Sequence, residues 1–223
     1  MAEVVSAVHC ADEQSFDPEM FCVPEHYKGS LATVLLPHGL IIDRVDKLAA
    51  DILQYYRGRT VHLLCVLKGG SIFFADMLRA LNARFASSGG DYVPYTFDFI
   101  KVSSYEGTES TGKVKIDMGK SSLEELAGRD VLFVEDILDT GTTLTELYKF
   151  FTHHTTVSSL STVALLVKRT ERSNGFRATF SGFSIPDKFV IGYGLDYNEI
   201  FRDMNHIAVI SEAGITKYAK CLN

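Results

Sequence analysis

The chain has 223 residues, 46% of them hydrophobic and 22% charged, with a formal net charge of −6. This length and balance fit one globular domain with a substantial core, not a disordered or low-complexity chain. The acidic surplus argues against a general nucleic-acid binder, whose affinity rests on cations neutralising phosphates, and no apolar run is long enough to cross a bilayer.

Cys10, Cys22, Cys65 and Cys221 are widely spread and lack the close spacing of a zinc or redox motif, as expected of free thiols in a reducing compartment. Residues 1–16 carry Glu3, Asp12 and Glu13 and no long apolar stretch, so they make a poor signal peptide and the expected location is cytoplasmic.

Taken in chain order, the pattern alternates. Val45, Leu48, Ala49, Ile52, Leu53 and Tyr56 fall on one helical face, with Asp43 as a candidate N-cap. An apolar run over 61–67 leads into Lys68-Gly69-Gly70, then Phe74, Met77, Leu78 and Leu81 repeat at helical spacing. A second run covers 92–102. Residues 103–120 are polar throughout and long for an internal connection, which suggests a mobile loop or a surface excursion. Further runs at 131–137, 162–167, 189–193 and 207–210 flank a helical face made by Leu144, Leu147, Tyr148 and Phe151. Several runs lack polar alternation, as expected of strands covered on both faces. The expected fold is an α/β domain built on a mostly parallel twisted sheet flanked by helices, with ligands bound beyond the C-terminal strand ends.

The most informative stretch is Glu135-Asp136-Ile137-Leu138-Asp139-Thr140-Gly141-Thr142-Thr143, where an apolar strand ends in carboxylates and a Thr/Gly loop opens a helix. Gly141 permits a tight turn. Backbone N–H groups at a helix start form an anion cradle, and the three threonines add hydroxyl donors. Glu135 and Asp136 can accept from sugar hydroxyls or help to hold Mg²⁺. The competing explanation is that Asp139 or Thr140 merely caps the helix.

Elsewhere, Lys68-Gly69-Gly70 can present N–H groups and one cation to a pyrophosphate, or be an ordinary βα turn. Lys168 at a strand end can donate to a carbonyl or snorkel to solvent, and Arg172 lies close by. Phe189 is by type a core residue that can also stack on a base. Asp196 and Arg202 are a candidate Mg²⁺ ligand and a candidate pyrophosphate fork, or a surface ion pair.

The stretch from Glu135 to Thr143 resembles the phosphoribosyl-pyrophosphate-binding motif of type I phosphoribosyltransferases, and it lacks the Lys of a Walker A loop. From about Phe21 to the C-terminus, the order and spacing of segments are similar to those of the hypoxanthine-guanine phosphoribosyltransferases of the animal type. That resemblance implies a single domain over 1–223 with a small hood formed by the N- and C-terminal segments, a flexible N-terminus over 1–20 and a mobile active-site loop over 103–120. It implies transfer of a phosphoribosyl group to a 6-oxopurine with Mg²⁺ as cofactor, in a homodimer or homotetramer.

The residue roles carried by the resemblance are specific. Glu135 and Asp136 hold the ribose hydroxyls, and Ile137 and Leu138 line the phosphoribosyl site. Asp139 is the acid/base at N7, and Thr140, Gly141, Thr142 and Thr143 bind the 5′-phosphate. Lys68, Gly69 and Arg202 approach the pyrophosphate, and Ser104 and Tyr105 sit on the closing loop. Lys168 reads the 6-oxo group, Phe189 stacks on the base beside Lys188, the Val190 backbone faces the 2-position, and Asp196 binds Mg²⁺. Relatives often have Lys where this chain has Thr142. Regulators that share the fold without catalysis, and enzymes with another base preference, are the alternatives.

Overall fold

The computed structural model describes residues 5–87, 93–104, 114–118 and 120–219. The elements are β1 (Val8–His9), β2 (Leu31–Leu36), α1 (His38–Tyr55), β3 (Val61–Leu67), α2 (Ser71–Ser87), β4 (Tyr95–Ser104), β5 (Val114–Asp117), α3 (Lys120–Glu125), β6 (Asp130–Leu138), α4 (Thr142–His154), β7 (Ser159–Arg169), β8 (Phe180–Pro186), β9 (Val190–Ile191), β10 (Ile207–Ile210) and α5 (Glu212–Tyr218).

Seven strands form the main sheet in the order β1-β8-β7-β6-β3-β4-β5, parallel except for the antiparallel pair β4–β5. Side chains alternate between the faces of a strand, which explains the unbroken apolar runs. Leu63 and Cys65 of β3 and Leu132 and Val134 of β6 pack with α1 and α2. Leu64 and Val66 of β3 and Val131 and Phe133 of β6 pack with α3 and α4 on the opposite face. Both faces are covered, so no polar period appears in the sequence.

β3 and β6 are neighbours, yet β3 continues through α2 toward β4 on one side and β6 through α4 toward β7 on the other. The chain therefore diverges at their C-terminal ends, which is where open parallel sheets leave a ligand crevice. Above it stands a small antiparallel sheet, β2-β10-β9, whose core includes Tyr27, Val34, Ile191, Phe201, Met204 and Tyr218. This is the hood expected from the N- and C-terminal segments. Two bonds fix it to the main domain: Tyr193 Oη donates to Asp76 Oδ2 at 2.6 Å in the core, and His38 N donates to His206 Nδ1 at 2.9 Å at a part-buried position.

Some local expectations need correction. α1 begins at His38 after Pro37, so Asp43 lies inside the helix and is not its cap. Of residues 103–120, 103 and 104 end β4, 114–117 form β5, and 120 opens α3, while 105–113 and 119, Tyr105 among them, lie outside the described residues. In the N-terminal segment expected to be flexible, Val8 and His9 pair in parallel with Phe183 and Ser184. Phe16 exchanges backbone hydrogen bonds with Val34, and Arg169 bonds Cys10 O and Asp12.

Candidate active site

Two adjoining hollows open at the divergence point. One, of about 210 Å³, is walled by Glu135, Leu138 and the residues of the loop from Thr140 to Thr143. The other, of about 360 Å³, is lined by Lys68, Gly69, Asp136, Lys168, Phe189, Val190, Leu195, Asp196 and Arg202. Ile137 and Asp139 line both and mark where they meet. Glu135 lines only the first hollow and Asp136 only the second, although the two carboxyls are close enough to influence each other.

The first hollow ends at the start of α4. Gly141 is the cap residue, with φ 85°, and offers no side chain to the first-turn N–H groups. Thr142 N lies 3.4 Å from Thr140 Oγ1, and the two hydroxyls are 3.0 Å apart. Helix-terminal donors thus face a cavity; Asp139 does not cap the helix, while Thr140 Oγ1 accepts the Thr142 N–H over a long 3.4 Å bond and so meets that part of the capping explanation. The loop is braced from behind: Asn174 N donates to Thr140 O at 2.8 Å, and Asn174 Nδ2 to Thr145 Oγ1 at 2.9 Å. A β-carbon at Gly141 would run into Asn174 Oδ1 and lie 2.9 Å from Phe176 Cβ.

The second hollow depends on glycine contacts. A β-carbon at Gly69 would overlap Asp136 Oδ2 and sit 2.8 Å from its Cγ, and one at Gly194 would strike Gly69 O. Strand end, βα turn and hood turn are therefore packed backbone against carboxylate. The Leu67–Lys68 peptide is cis.

The charges are arranged in two groups. At the junction of the hollows, Lys168, only 8% exposed at its side chain, donates to Asp139 Oδ2 at 3.1 Å and lies 3.9 Å from Asp187. Arg172 stands 3.7 Å from Asp139 and 3.6 Å from Asp187. On the hood side, Arg202 donates to Gly194 O at 2.7 Å and pairs with Asp196 at 2.7 Å and Glu199 at 3.3 Å, while Lys68 reaches Glu199 at 2.9 Å. The Lys68 hydrogen bond, then that of Arg202, hold the Glu199 carboxyl below its ordinary value. Burial, added to by the charge of Asp136, pushes Glu135 well above the ordinary carboxylate range, and burial also raises Asp136.

Six buried side-chain polar atoms lack a hydrogen-bond partner among the described residues, and three of them, Glu135 Oε2, Asp139 Oδ1 and Arg202 Nε, are here. Folded chains rarely leave such groups unpaired, so their concentration marks a place prepared for a polar ligand.

A family model described as phosphoribosyl transferase domain matches residues 32–198. The hypoxanthine-guanine phosphoribosyltransferase of Canis lupus familiaris is 48% identical over 207 residues, covering 93% of this chain and 94% of its own length. The enzyme of that name from Sus scrofa is 48% identical over 213 residues, 96% of each chain, and that from Homo sapiens 47% over 207. The chain belongs to the hypoxanthine-guanine phosphoribosyltransferases. The crystal structure of the Schistosoma mansoni member of this family, in complex with IMP, matches with a TM-score of 0.79 at 35% identity, covering 96% of this chain and all of that one.

For this phosphoribosyltransferase, most residues singled out in the sequence meet at the two hollows. Phe189, expected from its type to be core, is instead 54% exposed and stands edge-on to Tyr197 at 5.8 Å, at the rim of the second hollow. Lys188 points elsewhere, donating to Asp12 O at 2.8 Å. Ser104 ends β4, pairing with Val114. The sequence reading missed Asp187, Glu199 and Asn174. Asp187 carries no signal beyond its charge, because its partners Lys168 and Arg172 come from other segments; Glu199 stands three residues before its partner Arg202, but its pairing with Lys68 spans segments.

Proposed function

We propose that this chain transfers the 5-phosphoribosyl group of phosphoribosyl pyrophosphate to N9 of hypoxanthine or guanine, giving IMP or GMP and pyrophosphate. The observation that carries the base assignment is the Lys168–Asp139 pair, a donor and an acceptor 3.1 Å apart at the junction of the hollows. A 6-oxopurine protonated at N7 presents the complementary acceptor and donor along one edge. A 6-aminopurine would turn its own donor toward the Lys168 ammonium, and sites built on such hydrogen bonds reject the mismatched analogue strongly.

In this reading the loop from Thr140 to Thr143 takes the 5′-phosphate on the α4 terminus, and Glu135 and Asp136 grip the ribose hydroxyls. Phe189 stacks on the purine, and Val190 lies against its 2-position. Asp139, whose Oδ1 has no hydrogen-bond partner among the described residues, takes the N7 proton as N9 bonds to C1′ and the bond from C1′ to the pyrophosphate oxygen breaks. General-base assistance of this kind contributes about 10²–10⁴ in rate. Lys68, the Gly69 backbone and Arg202 receive the departing pyrophosphate, whose growing charge their donors stabilise.

Mg²⁺ suits the oxygen-rich second hollow, where Asp136 and Asp196 both face the cavity. Among the described residues no three His, Cys, Asp or Glu side chains converge as a metal cage. That fits an ion carried mainly by substrate oxygens and water, with Asp196, Glu135 or Asp136 completing its shell. When bound, it supplies neutralisation of the pyrophosphate.

We take the protein to act in the cytoplasm as a homodimer or homotetramer. Phe97 and Phe99, 49% and 46% exposed on β4 and edge-on to Phe74, are a candidate self-association surface.

The test is a panel of hypoxanthine, guanine, xanthine and adenine, each assayed with phosphoribosyl pyrophosphate and Mg²⁺. Hypoxanthine and guanine should be converted and adenine refused. Conversion of adenine, or of none of the four, would overturn the assignment.

A further inference from the structure

We propose that Glu199 is an internal stand-in for pyrophosphate: its carboxylate occupies the two cations that take the pyrophosphate end of the substrate, and so sets how tightly that end and the released product are held. The proposal rests on the assignment of Lys68 and Arg202 made above, and it gives a role to a residue which that assignment leaves unused.

The two carboxylate oxygens are divided between the two cations. Oε2 accepts from Lys68 Nζ at 2.9 Å and Oε1 from Arg202 at 3.3 Å. The bridge joins the turn after β3 to the hood turn, segments 131 residues apart in sequence. Arg202 does not need Glu199 to keep its place, because Gly194 O and Asp196, each at 2.7 Å, already hold its guanidinium. The Glu199 side chain is 45% exposed, so it can swing into water without disrupting the core.

The backbone beneath it is specialised. Asn198, Glu199 and Phe201 have φ values of 51°, 66° and 76°, left-handed conformations that side chains with a β-carbon rarely adopt. Glu199 N donates to Asp196 Oδ2 at 2.8 Å, Asn198 Nδ2 to Tyr218 O at 2.9 Å, and Tyr197 and Ile200 exchange backbone bonds at 3.1 Å. A turn fixed in this way presents Glu199 to the two cations as a held element, and strain of this kind persists where the surrounding structure enforces it.

The chemistry makes the carboxylate displaceable. The Glu199 carboxylate brings one negative charge, which together with that of Asp196 on Arg202 balances the two cations while the site is empty. Pyrophosphate brings several charges and many acceptor oxygens, so it wins both cations and expels Glu199. Binding at this subsite is then an exchange, weaker than it would be on free cations, and release is assisted because Glu199 re-forms its pairs as pyrophosphate leaves. Two exposed ion pairs lost in the exchange correspond to about a fivefold difference in affinity.

The experiment compares the full-length protein with Glu199→Gln, which keeps the shape and removes the charge. Inorganic pyrophosphate with Mg²⁺, and separately GMP, are titrated into each by calorimetry. The variant should bind pyrophosphate about fivefold more tightly, and GMP, whose phosphate belongs to the loop from Thr140 to Thr143, should bind both proteins equally. Unchanged or weaker pyrophosphate binding in the variant, or an equal gain for GMP, would sink the role given to Glu199. If the parent protein itself binds no pyrophosphate, the assignment of Lys68 and Arg202 fails and this inference with it.

Discussion

Replacing Gly69 with alanine tests the packing that joins the pyrophosphate turn to the acidic strand end. The new methyl would sit 2.8 Å from Asp136 Cγ, where carbon atoms at rest stay about 3.5–4.0 Å apart. Either the carboxyl or the turn must therefore retreat by roughly 1 Å. Asp136 is not free to do so: it is buried, and its Oδ1 accepts the Ile137 N–H at 2.8 Å. Overpacking of this kind costs about 1–3 kcal/mol, and each kilocalorie lowers the melting temperature of a chain of this size by about 2–4 °C. The protein should still fold, but a displacement of about 1 Å at a reacting centre costs on the order of 10²-fold in rate. The assay is initial velocity of GMP formation at saturating guanine with phosphoribosyl pyrophosphate varied, beside a thermal melt. A Gly69→Ala protein with kcat/KM within a few-fold of the parent would refute the reasoning that Asp136 must keep its present position.

Other substitutions separate binding from chemistry. Asp139→Asn should lower turnover by about 10²–10⁴-fold while GMP still binds, and near-normal turnover would remove Asp139 from proton transfer. Lys168→Gln should lower kcat/KM for guanine and hypoxanthine on the order of 10- to 100-fold, the worth of one charged hydrogen bond, and narrow the preference over adenine. An unchanged preference would show that another group reads position 6. Glu135→Gln should stabilise the ligand-free protein while reducing activity. Burial raises the folded-state pKa of Glu135, so the folded protein holds its proton more firmly than the unfolded chain does. Stability therefore falls as pH rises from the ordinary carboxylate range through the raised value. Glutamine has no such slope, so the variant should melt higher at pH 8, by a few degrees for roughly 1 kcal/mol, with the gap closing toward pH 5. A gap that widens on acidification would contradict the assigned direction.

What was legible in the sequence was local. β6 and β3 are covered on both faces, so they read as uninterrupted apolar runs, and the Thr/Gly loop follows its strand directly. β8 was missed because its sequence, Phe-Ser-Gly-Phe-Ser-Ile-Pro, lacks a continuous apolar run. Gly182 is there because a β-carbon would press against Leu165 O, and Arg44 bonds Ser181 O and Gly182 O from α1, a contact 137 or more residues distant. β2 is a hood strand whose partner β10 lies at the other end of the chain. The same limit applied to the site. Asp139 and Lys168 were named separately, but their pairing follows from the parallel register of β6 and β7, in which Leu138 lies beside Val167. Residue type alone reads Phe189 as core, whereas its rim position, which leaves the ring free for the stacking the resemblance implies, depends on what the hood leaves uncovered.

The central claim is that a purine mononucleotide anchors its phosphate on the start of α4 and its ribose on the acids that end β6. Crystals grown with GMP would test it most directly. The phosphate oxygens should lie about 2.7–3.2 Å from backbone N–H groups between Thr140 and Thr143, with the ribose hydroxyls against Glu135 or Asp136. A phosphate seated instead on Lys68 and Arg202, or outside both hollows, would contradict it.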